Sequence, residues 1–177
     1  MRDEHLPASD LLLKAAERVG AANPADTAAV LGAAWHGFCA AGAAGELLAR
    51  HANPDEYPSL WVNARPVLTA AIDTLRTAPS VPRGLPAEVA LDDTPAAWLD
   101  DADAAQIRRL ILDLALALNI SLYAAGEHAP GAADRKACQD ATMLSSKLSE
   151  CYEGRLRTFI KQPTPPRGRR RDANSGS

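Results

Sequence analysis

In the segment His36-Gly37-Phe38-Cys39, two side chains capable of acid–base, nucleophilic or metal chemistry stand three residues apart. On a helix, residues at i and i+3 share a face, so His36 and Cys39 could form a thiolate–imidazole pair or offer two ligands to a metal. No third ligand is evident in the sequence. The plainer reading has His36 buried with a hydrogen-bond partner and Cys39 packing as a small apolar residue. Further on, Asp113 and Asn119 interrupt a largely apolar run. A carboxylate enclosed in such a helix is costly unless paired, and Arg109, one turn earlier, is the nearest partner. Those two would then mark the helix's exposed strip. The sharper reading has Asp113 or Asn119 reach His36 across two packed helices and line a small polar pocket. Trp35, Trp61 or Trp98 would supply its aromatic wall.

Other chemistries lack their parts. Neither GxGxxG nor GxxxxGK occurs, so nucleotide binding by those phosphate loops is excluded, and no GxSxG elbow is present. A carboxylate-bridged di-metal bundle needs Glu-x-x-His, yet the residues three before the histidines are Arg2, Ala33, Leu48 and Ala125. HExxH and zinc-finger spacings are absent, as is the Arg-x(4–6)-His motif of HEPN-type helical ribonucleases. No catalytic residue, metal or cofactor is assigned.

Charge divides the chain in two. From Lys161 onward the balance is +4, while residues 1–160 carry −7. Arg167, Arg169, Arg170 and Arg171 could contact phosphate backbones or an acidic protein, but the acidic body repels nucleic acid. A solvated tail, or one resting on its own acidic surface, is the simpler expectation. The charged start Met-Arg-Asp-Glu-His and the early Lys14 leave no signal-peptide apolar core, which points to the cytoplasm. Residues 28–45 form an uncharged run of 18, long enough to span a membrane, but eight are Ala and four Gly, and His36 sits within it. The run reads as a buried soluble helix. The three cysteines form an odd set without a CxxC pair, and reduced thiols are expected.

The elements that must position these residues are helices. Of 177 residues, 37 are Ala and 22 Leu, against only 19 that are Val, Ile or Thr. A short helix should follow Ser9 or Asp10 and stop near Gly20. Asn23-Pro24 opens a second, running to about Arg50 with no charged face. A third starts after Pro58-Ser59 or at Asn63, with Pro66 in its first turn or kinking it. The proline-rich segment 78–94 is a loop, and Thr94-Pro95 starts a single turn through Trp98. The fourth helix runs from Asp101 or Asp103 to about Gly126, with Leu112, Leu116, Ile120 and Tyr123 on its second apolar side. The last follows Pro130-Gly131 and continues through Phe159, ending before Gln162-Pro163.

The expectation is a single all-α domain over residues 1–160, a bundle of four long helices plus a short N-terminal helix, with a disordered Pro/Arg-rich basic tail over 161–177. The function class that fits is a non-enzymatic helical interaction or scaffold module, self-associating as a homodimer or docking a protein partner, and not membrane-bound. The dimer contact is expected on the small-residue helix, at Ala40 and Ala43; the competing cover for that helix is the loop 78–94. Two alternatives stand beside it. One is a small-molecule-binding or enzymatic bundle using His36, Cys39, Trp35, Asp113 and Asn119. The other is an accessory nucleic-acid-associated protein acting through the tail.

Overall fold

A computed structural model describes residues 8–87, 89, 91 and 98–155. The single turn expected over 94–98 falls largely outside those residues, and the basic tail with Arg167, Arg169, Arg170 and Arg171 falls wholly outside them. Five helices make an all-α fold: α1 (Ala8–Ala21), α2 (Thr27–His51), α3 (Tyr57–Arg76), α4 (Asp101–His128) and α5 (Ala132–Tyr152). Among the described residues there is no strand.

Local chemistry sets the helix ends. Asn23 closes a turn by accepting from the Ala25 amide at 3.0 Å, and Asp26, not Asn23, caps α2 by accepting from the Ala29 amide at 3.0 Å. The helix therefore starts at Thr27 rather than at Pro24. Asp100 caps α4 in the same way, on the Asp103 amide at 2.7 Å. Helix α3 begins earlier than Ser59: Pro58 sits in its first turn, where no amide donor is needed, and Pro66 falls in the interior. Pro66 and Val62, whose carbonyl loses its usual donor, are both exposed, so water can replace the missing bond. Helix α5 ends at Tyr152, seven residues short of Phe159. Gly154 takes a left-handed conformation at φ 71°, and its amide and that of Arg155 close on the Cys151 and Glu150 carbonyls in a Schellman motif.

The helices form a closed ring in the order α1, α2, α3, α5, α4, with α2 and α4 also packed on each other across it. Leu31, Phe38 and Leu48 of α2 and Ile111, Leu114, Leu118 and Leu122 of α4 are fully buried at the centre. Small residues on α2 allow this crowding. A Cβ at Gly37 would stand 3.0 Å from Leu118, and one at Gly45 would collide with the Tyr152 hydroxyl and lie 2.9 Å from the Trp61 ring. Arg108 ties three elements at that end: its Nε donates to the Tyr152 carbonyl at 2.6 Å and its guanidinium pairs with Glu56 just before α3.

Gly45→Ala should lower stability by about 1–3 kcal/mol through overpacking. Gly42→Ala, whose Cβ would meet only Leu68 at 3.9 Å, should be neutral or raise stability by up to ~1 kcal/mol through helix propensity. Urea unfolding of the two variants checks the contrast; equal effects would contradict the close approach at Gly45.

Candidate functional site

The loop after α3 covers α2. Its Val81, Leu85 and Leu91 pack half-buried against the core, and Pro82 lies 3.2 Å from where a Gly32 Cβ would be. Two anchors hold it. On α2, Trp35 Nε1 donates to the Pro86 carbonyl at 2.7 Å and Cys39 Sγ to the Ala87 carbonyl at 3.7 Å. On α5, the Asp134 carboxylate accepts from the Ser80 amide at 2.9 Å and the Ser80 hydroxyl at 2.8 Å. Asp134 is only 3% exposed, so these bonds replace most of its water. Its place in the sequence, just inside a helix start, suggested nothing beyond a favourable first-turn charge.

The loop, α2 and α3 enclose a cleft of about 580 Å³. Phe38, Trp61, Leu68 and Ile72 form its apolar part. Arg50 and Arg76 line it already paired, with Glu46 and Asp73 respectively, and Arg76 also stands 5.5 Å above the Trp35 ring. Exposed Arg65 joins them. Glu46 and Asp73 line the cleft too, so two of its three arginines already face a carboxylate. Of the residues singled out by sequence, Cys39, Trp61 and Ala43 line this cleft, whereas His36, Asp113 and Asn119 do not.

The pocket expected around His36, Asp113 and Asn119 does not form. Asp113 and Arg109 are exposed on the outer side of α4, as the plainer reading has it. Asn119 turns to α5, where its amide donates to the Thr142 carbonyl at 3.1 Å, Ser145 Oγ at 3.3 Å and Ser146 Oγ at 2.8 Å. His36 is half-buried on α2, and burial together with the positive charge of Arg18 holds its pKa below the ordinary value. Trp35 belongs to the loop anchor. Among the described residues no three His, Cys, Asp or Glu side chains gather closely enough to hold a metal ion.

Helix α4 carries the other feature. Arg109, Asp113, Leu116, Ile120, Tyr123 and Glu127 are all exposed and recur at intervals of three and four. At 100° per residue they fall within an arc of about 80°. Leu116, Ile120 and Tyr123 are 60%, 61% and 66% exposed, values uncommon for neighbouring large apolar side chains in one stripe. Met143 of α5 extends the strip, since it lies one turn from Ser146, the Asn119 partner, on the same helix face. Leu13 of α1 borders the other side. Ser121 Oγ donates to the Val19 carbonyl at 3.3 Å, which sets Leu13 level with Leu116 at helical rise. The dimer contact expected at Ala40 and Ala43 is not available: Ala40 is buried and Ala43 half-buried on covered α2. The signal for α4 was in the sequence, in the spacing of Leu112, Leu116, Ile120 and Tyr123.

No family model, curated protein sequence or solved structure matches this chain.

Two measurements check these environments. Burial raises the Cys138 and Cys151 thiols to about 11, helped by Asp134 and Glu150 respectively, while Cys39 is half-buried. At pH 8 a thiol reagent should therefore modify one cysteine of the native protein quickly and all three after denaturation. For His36, a lowered native pKa means the unfolded chain binds the proton more tightly, so stability is complete above the ordinary value and falls as pH drops through the native pKa. His36→Gln should lose less thermal stability than the parent between pH 7.5 and 5, by calorimetry. An unchanged pH dependence would contradict the buried placement.

Proposed function

We propose that this chain is a non-enzymatic helical module that works by pairing with a second copy of itself in the cytoplasm, without a cofactor. The observation that carries the reading is the α4 strip. Of the seven large apolar side chains left exposed among the described residues, Leu116, Ile120 and Tyr123 stand on α4, and Leu13 and Met143 on the helices beside it. Burying a Leu, Ile or similar side chain contributes about 1.5–3 kcal/mol, so removing this group from water supplies a driving force for association. Enzymatic readings have less support, because His36, Asp113 and Asn119 face three different surroundings.

A lipid surface is the competing cover for an apolar strip. Helices α2 and α4 are both long and apolar enough to cross a membrane by length and composition. Of their most apolar stretches, 67% is buried in α2 and 44% in α4. Charges on the exposed face of α4 weigh against lipid. Arg109, Asp113 and Glu127 stand in the same stripe as the apolar residues, and placing Arg or Asp at mid-bilayer costs about 2.5–3.5 kcal/mol each. A protein surface can pair such charges.

Sedimentation equilibrium at micromolar concentration should give the dimer mass. Leu116→Glu should give a monomer with unchanged helix content, because residue 116 makes no core contact that the charge would disturb. A monomeric parent chain, or one that floats with phosphatidylcholine vesicles instead of pairing, would overturn the reading.

A further inference from the structure

The exposed stripe of α4 is complementary to itself when reversed. Its six residues form three pairs with a common midpoint at 118: Arg109 with Glu127, Asp113 with Tyr123, and Leu116 with Ile120. We infer that two copies dock through α4 in antiparallel register, with a two-fold axis crossing the helix pair at the level of Leu118. This rests on the self-association proposed above and adds to it the orientation and the partner of each residue.

Charge decides between the two ways a two-fold axis can pair one helix with its copy. In either, the same patch serves both protomers. With the axis along the helices, residue i meets its own copy, and Arg109, Asp113 and Glu127 each face a like charge. With the axis across the helices, Arg109 faces the carboxylate of the other copy's Glu127, and the Tyr123 hydroxyl donates to the carboxylate of the other Asp113. Apolar Leu116 and Ile120 then meet at the centre, and the charged groups form the rim, the usual arrangement of a stable contact. The ends are available for this pairing: among the described residues Arg109, Asp113 and Glu127 belong to none of the ion pairs, which engage Arg50, Arg76, Arg108, Lys136 and Arg155.

The neighbours fit the same axis. Helix α1 runs parallel to α4 and α5 antiparallel to it, so Leu13 and Met143 flank the midpoint from opposite sides. The two-fold keeps each flank on its own side, so Leu13 of one protomer stands toward Leu13 of the other, and Met143 toward Met143. That widens the contact beyond the helix pair, which alone falls short of the roughly 800 Å² per partner of a standard interface.

The experiment is a charge exchange read by sedimentation at low salt, ~0.05 M, where such pairs are least screened. Arg109→Glu or Glu127→Arg alone puts like charges at both symmetric ends of the antiparallel dimer and should weaken it about tenfold. The double variant R109E/E127R should restore the parent affinity to within about twofold. In the parallel register neither single exchange relieves or creates a like-charge contact at its own position, so no weakening and no rescue would appear. If Leu116→Glu yields monomer but the charge exchange has no effect, the register is overturned and self-association stands. If the parent chain is itself monomeric, both are overturned.

Discussion

The bundle depends on the enclosure of α2 by close-packed neighbours. An alanine- and glycine-rich helix offers little apolar area of its own, so its contribution comes from how near other elements can approach. Gly37 admits Leu114 and Leu118 of α4, Gly45 admits Trp61 of α3 and Tyr152 of α5, and Gly32 admits Pro82 of the loop. Each approach places a large side chain against backbone and replaces missing side-chain contacts on α2 with contacts from its neighbour. Four elements converge in this way on one helix that carries no charge from Thr27 to Gly45.

That enclosure redistributes the exposed surface. Once the loop is held by Trp35 and Asp134, it covers part of the side of α2 not covered by α1, α3 or α4 and leaves a cleft beside α3. Asp134 shows how the cover reaches across the fold: a carboxylate in the first turn of α5 fixes the start of a loop whose far part rests on α2. The outer side of α4 receives no such cover. Its inner side is spent on α2, its flanks on α1 and α5, and no loop of the described chain crosses the remaining stripe. Among the described residues, three of the seven large exposed apolar side chains therefore stand in one stripe on α4, although both central helices look alike in composition.

The helical class and the number and order of the helices were legible because periodicity and punctuation agree: Pro, Gly and Asx residues separate runs of three–four spacing. Ends were less legible where two signals competed. Asn23-Pro24 resembles a cap followed by a first-turn proline, but Asp26 also caps, and only the chain's path into the bundle chooses between them. Phe159 continues the α5 periodicity, yet Gly154 in a left-handed conformation stops the helix first. Side-chain partners were the least legible. Asn119 and Asp113 lie six residues apart, 600° around the helix, so one turns inward to α5 while the other faces water. Nothing in the spacing says which of them looks toward α2. His36 follows the same logic: its residue type invites chemistry, but its neighbours are the α1 side of the bundle and Arg18.

An apolar stripe that also carries charge at its ends is a different object from a merely uncovered face. Were α4 simply deficient in polar residues, any apolar surface would satisfy it, including a copy in any orientation. The order Arg109, Asp113, Leu116, Ile120, Tyr123, Glu127 restricts the acceptable surfaces to those presenting the reversed order, because a wrong partner leaves desolvated charges opposite like charges or apolar groups. The chain itself presents that order at no further cost in sequence. A two-fold contact also doubles each favourable pair, so a modest surface ion pair at one end is matched by its equivalent at the other. Selectivity for its own copy can thus arise from six positions on one helix, while the other helices supply the core that holds α4 in place and the flanking Leu13 and Met143.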